Sequence, residues 1–239
     1  MNLIYSFTKK LSNLENLDKI VEVYCESYNN NIRFHNIILY TDSESKHLFE
    51  DYFHDIRIKD IESVYFLDDF KFNILPELTN DDLLFDGDIF LTHPLKVTND
   101  SVVCDRIVGN VLKDEFYRYY SDTIDIFLKY DINNVFDFFS KDLEYVPNIG
   151  ILRFNNQLIL NEFLNHYWKL VNWYKDMKIE ENHKLIQNDM KASAVFGQYF
   201  LGLFLKHKKL NISYCNENNK YTHLSGNEKF KMNFLKTII

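Results

Sequence analysis

A chain of 239 residues, 46% hydrophobic and 16% aromatic, has ample material for one large packed core, which excludes global disorder. Its 6 Gly and 3 Pro exclude collagen-like and Gly/Ser-linker character, and three widely spaced cysteines exclude a disulfide framework. A net charge of −8 with no dense Lys/Arg block argues against binding duplex nucleic acid through a basic face.

Cys25, Cys104 and Cys215 read as small core residues or free thiols in a reducing compartment. The first ten residues lack a signal-peptide core, and no uncharged apolar run approaches the ~20 residues of a membrane helix. A soluble, cytoplasmic protein with one domain over residues 1–239 is expected.

In chain order, Leu3–Phe7 predicts a first strand. Leu14, Leu17, Ile20/Val21, Tyr24 and Tyr28 recur at helical spacing, with Ser12 or Asn13 as cap. Ile37–Tyr40 is apolar on both faces and ends at Thr41-Asp42, which suits a central parallel strand. Ser43–Phe53 reads as a second helix and Val64–Leu67 as another strand, so the alternation points to an α/β sheet of Rossmann type. Beyond the run Leu83–Leu91, a strand is expected at Val102–Cys104 and a helix over Glu115–Tyr130. Tyr145–Phe154 reads as a strand broken around Asn148, followed by helices at Leu158–Tyr174 and Ala192–Lys206. A strand at Ile212–Tyr214, an Asn-rich loop and a helix over Asn227–Leu235 complete the chain.

The run Leu83–Leu91 is interrupted by Asp86 and Asp88 around Gly87. Charged carboxylates are unfavourable in apolar surroundings unless paired, and their hard oxygens suit Mg²⁺ or Mn²⁺. The alternative is a tight turn whose carboxylates cap backbone N–H groups. A second segment, His223-Leu224-Ser225-Gly226-Asn227-Glu228-Lys229, joins an imidazole ligand, a glycine that admits close backbone approach and a lysine suited to phosphate. In open α/β sheets ligands sit beyond the carboxyl ends of strands, where Phe7/Thr8, Asp42 and Asp86/Asp88 all fall.

The strand-end Asp-x-Asp with a C-terminal His-x-x-Gly-x-x-Lys resembles the GT-A glycosyltransferases, most closely the family 8 group of glycogenin and bacterial galactosyltransferases. Three further stretches agree: Phe85 to Leu95, with its Pro94-Leu95; Asn148 to Asn155; and Gln198 before Tyr199-Phe200-Leu201. The resemblance implies one GT-A (Rossmann-like) domain with a mixed central sheet flanked by helices. It implies Asp86, Asp88 and His223 as ligands of Mn²⁺ or Mg²⁺, with Gly226 and Lys229 at the phosphates of a nucleotide-sugar, UDP being the implied nucleotide. Phe7, Thr8 and Asp42 align with nucleotide-contacting loops, Lys71 with a basic donor contact, and Asn148 and Gln198 with sugar- and acceptor-orienting positions.

The implied function is metal-dependent sugar transfer from a nucleoside diphosphate, with retention of configuration. The acceptor stays open: a glycan, a lipid-linked sugar, a protein or a nucleobase. Two departures stand out, since Gly197 replaces the acidic residue before the Gln and Phe230 replaces a Pro-Trp after the Lys. Alternatives are a metal-dependent nucleotidyltransferase or phosphohydrolase, and an inactive nucleotide-sugar-binding GT-A protein. Asp68-Asp69 and Asp81-Asp82 are expected to be solvated pairs and Trp168 and Trp173 core residues. Tyr117, Arg118, Tyr119 and Tyr120 fit a stacking site, a helix surface or the core equally well, and the other seven histidines form no ligand-spaced pair.

Overall fold

The computed structural model describes residues 1–11, 16–62, 66, 68–110, 118–143, 145–178 and 195–224. Eleven strands lie within them: β1 Asn2–Phe7, β2 Asn36–Thr41, β3 Ile56–Ile58, β4 Asp82–Phe85, β5 Ile89–Leu91, β6 Val102–Cys104, β7 Ile107–Asn110, β8 Tyr145–Pro147, β9 Ile151–Phe154, β10 Ile212–Tyr214 and β11 Tyr221–His223. Seven form a mixed sheet in the order β10-β6-β9-β4-β1-β2-β3. Strands β1 to β4 pair in parallel, and β9 runs antiparallel between β4 and β6. Strand β6 therefore points the same way as β1, and β10 pairs with it in parallel. Two small antiparallel pairs, β5 with β11 and β7 with β8, stand apart from the main sheet.

Both faces of the sheet are covered, as the apolar runs require. Along β1, Ile4 packs on one side and Leu3, Tyr5 and Phe7 on the other, the period of two expected of a strand. The first face meets the helices α2 (Asp69–Ile74), α3 (Arg118–Lys129), α4 (Gln157–Asp176) and α5 (Phe200–His207), through an aromatic core including Phe72, Phe127, Phe163, Tyr167 and Phe204. The second face meets α1 (Leu17–Asn31) and the Phe49/Phe53 pair. Helix α4 shows why its sequence is helical: Asn156 accepts from the N–H groups of Leu158 and Ile159, and Leu160, Phe163, Leu164, Tyr167, Leu170 and Val171 line its buried stripe. None of the helices in the described residues is long and apolar enough to cross a membrane.

Several expectations need revision. Ser43–Phe53 holds only a 3₁₀ turn at Lys46–Leu48. Asp42 accepts from the N–H and hydroxyl of Ser45 there, a local bond that competes with helix initiation. The run Leu83–Leu91 is two strands in different sheets, split by a turn at Asp86–Asp88. Of the strand expected at Val64–Leu67 only Phe66 is described, and it lies outside any strand. Asp68, Asp69 and Asp82 are buried rather than solvated, while Asp81 is exposed as expected. The caps at Ser12 or Asn13 and the helix over Asn227–Leu235 lie outside the described residues. Trp173 is buried and Trp168 packs against the core, and the three cysteines are free and buried.

Candidate metal centre

Topology gathers the site. Strands β1, β2, β4 and β6 share a direction, so their carboxyl ends lie along one edge of the sheet. Strand β9 runs the other way, so the loop Asn148–Gly150 before it reaches the same edge. Asp86 follows β4 there, its N–H donating to the Gly150 carbonyl at 2.7 Å while its own carbonyl accepts from Ile89 at 3.2 Å. The resulting turn leads into β5, which places Asp88 immediately before that strand.

Strand β5 is fixed along both edges. On one side it pairs with β11, with His223 opposite Ile89, and the Leu224 N–H donates to the Asp88 carbonyl at 3.0 Å. On the other, buried side chains of α1 replace a strand: Ser27 and Asn31 donate to the Ile89 carbonyl, Asn31 accepts from Leu91 N–H, and Asn30 donates to the Leu91 carbonyl. Asn31 also donates to the Tyr5 hydroxyl at 2.7 Å. These polar residues within a helix look misplaced in the sequence. Their bonds satisfy a buried strand edge that would otherwise lack partners.

One ligand atom from each of Asp86, Asp88 and His223 lies within 4.8 Å of the other two. His223 Nε2 is 3.3 Å from Asp88 Oδ1, and His223 Nδ1 is 2.6 Å from Asp105 Oδ2. Asp105, fully buried after β6, also accepts from the Tyr221 hydroxyl. A carboxylate on the far ring nitrogen is the arrangement that orients a metal-ligating histidine. The imidazole is packed so closely over Gly150 that a Cβ there would stand 2.5 Å from His223 Cε1. Gly87 is covered in the same way by the Tyr24 ring, 2.4 Å from such an atom, with the Tyr24 hydroxyl donating to the Ser6 carbonyl at 3.0 Å.

Electrostatics follow from this crowding. Burial pulls the His223 imidazole down, but hydrogen bonds to Asp105 and Asp88, together with their charges, overcome it and lift the group to about 9. Lys71 is likewise penalised by burial, yet Asp86 and Asp68 hold its ammonium above the ordinary lysine range. Its Nζ is 2.6 Å from Asp86 Oδ1 and 3.6 Å from Asp68 Oδ1. Burial pushes the Asp68 carboxyl up to about 6, with Lys71 opposing the rise and Asp86 and Asp69 adding to it. The two carboxylates suit Mn²⁺ or Mg²⁺, and the imidazole nitrogen beside them suits the transition metal better than the oxygen-preferring Mg²⁺.

Other expected site residues divide. Lys71 joins the cluster directly, as above. Asn148 lies beside it, its Oδ1 accepting from Gly150 N–H at 2.8 Å. Gln198, half-buried, follows Gly197, whose backbone packs against Asp68. Phe7 is buried against Tyr24 and Phe49, and Thr8 Oγ1 accepts from Lys10 N–H at 3.2 Å, both at the end of β1. Asp42 binds Ser45 with both oxygens, so it shapes the end of β2 and does not join the metal trio. Gly226, Lys229 and Phe230 lie outside the described residues, as does Tyr117, while Arg118–Tyr120 begin α3. Asp105 and Tyr24 were not singled out from the sequence. Asp105 carried one usable signal, since it ends an apolar strand as Asp42 and Asp86 do.

No family model matches this sequence, and no curated protein does. Among solved structures the chain is similar to the galactosyltransferase LgtC in complex with donor and acceptor sugar analogs, at 11% identity and TM-score 0.44, covering 90% of this chain and 73% of that one. It is also similar to apo mouse xyloside xylosyltransferase 1, at 11% identity and TM-score 0.42, over 90% and 85% of the two chains. A third similarity is to the glycosyltransferase GlyE of Streptococcus pneumoniae TIGR4, at 14% identity and TM-score 0.40, over 82% and 43%.

Proposed function

We propose that this chain is a single-domain, metal-dependent glycosyltransferase of GT-A type that takes a sugar from a nucleoside-diphosphate donor, UDP-linked by resemblance, and passes it on with retention. The observation that carries the reading is the convergence of Asp86, Asp88 and His223 within 4.8 Å, from segments 135 residues apart (223 − 88). A tight turn with backbone-capping carboxylates would not require a histidine oriented by a second buried carboxylate, Asp105.

In this reading Asp86, Asp88 and His223 hold Mn²⁺ or Mg²⁺, and Asp105 sets the His223 ring. A cation held there would supply Lewis-acid neutralisation of the charge developing on a diphosphate leaving group. By resemblance Gly226 and Lys229 serve the phosphates, and the β1 and β2 ends with Phe7, Thr8 and Asp42 border the nucleotide. Asn148 and Gln198 orient sugar and acceptor, and Lys71 adds positive charge on the donor side. The acceptor is a glycan, a lipid-linked sugar, a protein or a nucleobase. The buried free thiols fit a cytoplasmic setting.

The test is a screen of nucleotide-sugars with Mn²⁺, reading release of nucleoside diphosphate by the wild type, Asp88→Asn and His223→Ala. Release that both substitutions abolish is the expected result. Pyrophosphate or inorganic phosphate instead would favour a nucleotidyltransferase or phosphohydrolase, and donor binding without release would favour an inactive binding protein. Equal release by wild type and variants would sink the metal assignment.

A further inference from the structure

Asp68 occupies the N-cap position of α2, yet its side chain makes no capping hydrogen bond. A carboxylate at a helix start ordinarily takes that bond. Instead it is buried facing Lys71, with its other flank against Gly197, where a Cβ would stand only 2.0 Å from Asp68 Oδ2. The adjacent Asp69 cannot serve the same purpose, because its oxygens accept from Phe66 N–H and the Tyr167 hydroxyl.

Lys71 is only 12% exposed and its nearest anionic partner is Asp86. A buried ammonium needs a partner in every state of the site. A divalent cation on Asp86 removes that partner and repels Lys71 at close range. Asp68 Oδ1 already forms a longer ion pair with Lys71 at 3.6 Å, so a movement on the order of 1 Å brings the ammonium to charge-assisted hydrogen-bond distance.

We propose that Lys71 is a counter-ion switch: it neutralises Asp86 while the cation is absent and transfers to Asp68 when the cation binds, with Gly197 providing the room that Asp68 needs. This inference rests on the metal reading above. Gly197 then has a physical reason of its own, since any side chain at that position would evict the carboxylate that receives Lys71.

The experiment is Mn²⁺ binding to the full chain, followed by electron paramagnetic resonance and calorimetry, with thermal melts checking the fold of each variant. Lys71→Met is expected to tighten Mn²⁺ binding about tenfold by removing the competing charge, and Asp68→Asn to weaken it by a similar factor. Because Asp68 acts through Lys71, adding Asp68→Asn to Lys71→Met is expected to change affinity less than twofold. Gly197→Ala, which displaces the carboxylate while keeping its charge, is expected to reproduce the Asp68→Asn loss. An Asp68→Asn effect of equal size in both backgrounds, or no tightening by Lys71→Met, overturns the switch. Mn²⁺ binding that ignores His223→Ala, or wild type that binds no Mn²⁺, overturns the metal reading and the switch with it.

Discussion

If Asp86, Asp88 and His223 hold a cation as proposed, its binding is expected to expel a proton. Without a cation, His223 sits between Asp105 and Asp88 with its side chain 6% exposed and its imidazole lifted to about 9. At pH 7 the ring therefore carries a proton on a nitrogen that a cation requires. Displacing it costs roughly 1.4 kcal/mol for each pH unit below 9, or about 3 kcal/mol at pH 7. Mn²⁺ affinity is thus expected to rise about tenfold per pH unit, near 100-fold between pH 6.5 and 8.5. Calorimetry in buffers of different ionisation heat would also register about one proton released per cation. His223→Gln should abolish the slope, and Asp105→Asn should shift its upper end toward the ordinary histidine range near 6.5.

Stability of the cation-free protein should move the opposite way. The folded-state value of about 9 lies above the unfolded value of 6.5, so this contribution is complete below pH 6.5 and is lost as pH rises through 9. The loss is on the order of 3 kcal/mol, and urea midpoints taken with and without Mn²⁺ should diverge across that window. Mn²⁺ affinity that stays flat from pH 6.5 to 8.5 would refute the reasoning.

Three further outcomes follow from the same geometry. Gly150→Ala places a Cβ 2.5 Å from His223 Cε1, so a Mn²⁺ titration should show at least about tenfold weaker binding with ~1–3 kcal/mol of lost stability; wild-type affinity would contradict the packing. Asn31→Leu strips Leu91 N–H of its acceptor and removes donors to Ile89 and Tyr5, so urea unfolding should show a loss of about 3 kcal/mol or more, and a loss under ~1 kcal/mol would mean that α1 does not fix β5. Tyr167→Phe leaves the buried Asp69 carboxylate without its hydroxyl donor, which calorimetric melting should register as ~1–3 kcal/mol, and an unchanged melt would argue against that bond.

Local pattern explains which elements were legible. Strands β1, β2 and β6 announce themselves as short continuous apolar runs because both faces are buried, and helix α4 does so because one buried stripe imposes a helical period on its residues. The break at Asn148 was also legible, as a Pro-Asn-Ile-Gly interruption between apolar runs. Ser43–Phe53 misled, because Phe49 and Phe53 have helical spacing yet the Asp42–Ser45 bonds favour a turn. Acidic pairs at Asp68-Asp69 and Asp82 misled for a related reason, since composition cannot distinguish a solvated carboxylate from one held by a lysine, a tyrosine or a strand partner.

By itself, the sequence determined the alternation of strands and helices and the three groups Asp86, Asp88 and His223 able to hold a divalent cation, because apolar periodicity and ligand chemistry belong to short segments. Tertiary structure alone decided that these groups meet, that Asp105 orients His223 from 118 residues away, and that Lys71 stands between Asp86 and Asp68. Such contacts arise where parallel strands end on one edge of a sheet, and only the pairing of those strands brings their ends together.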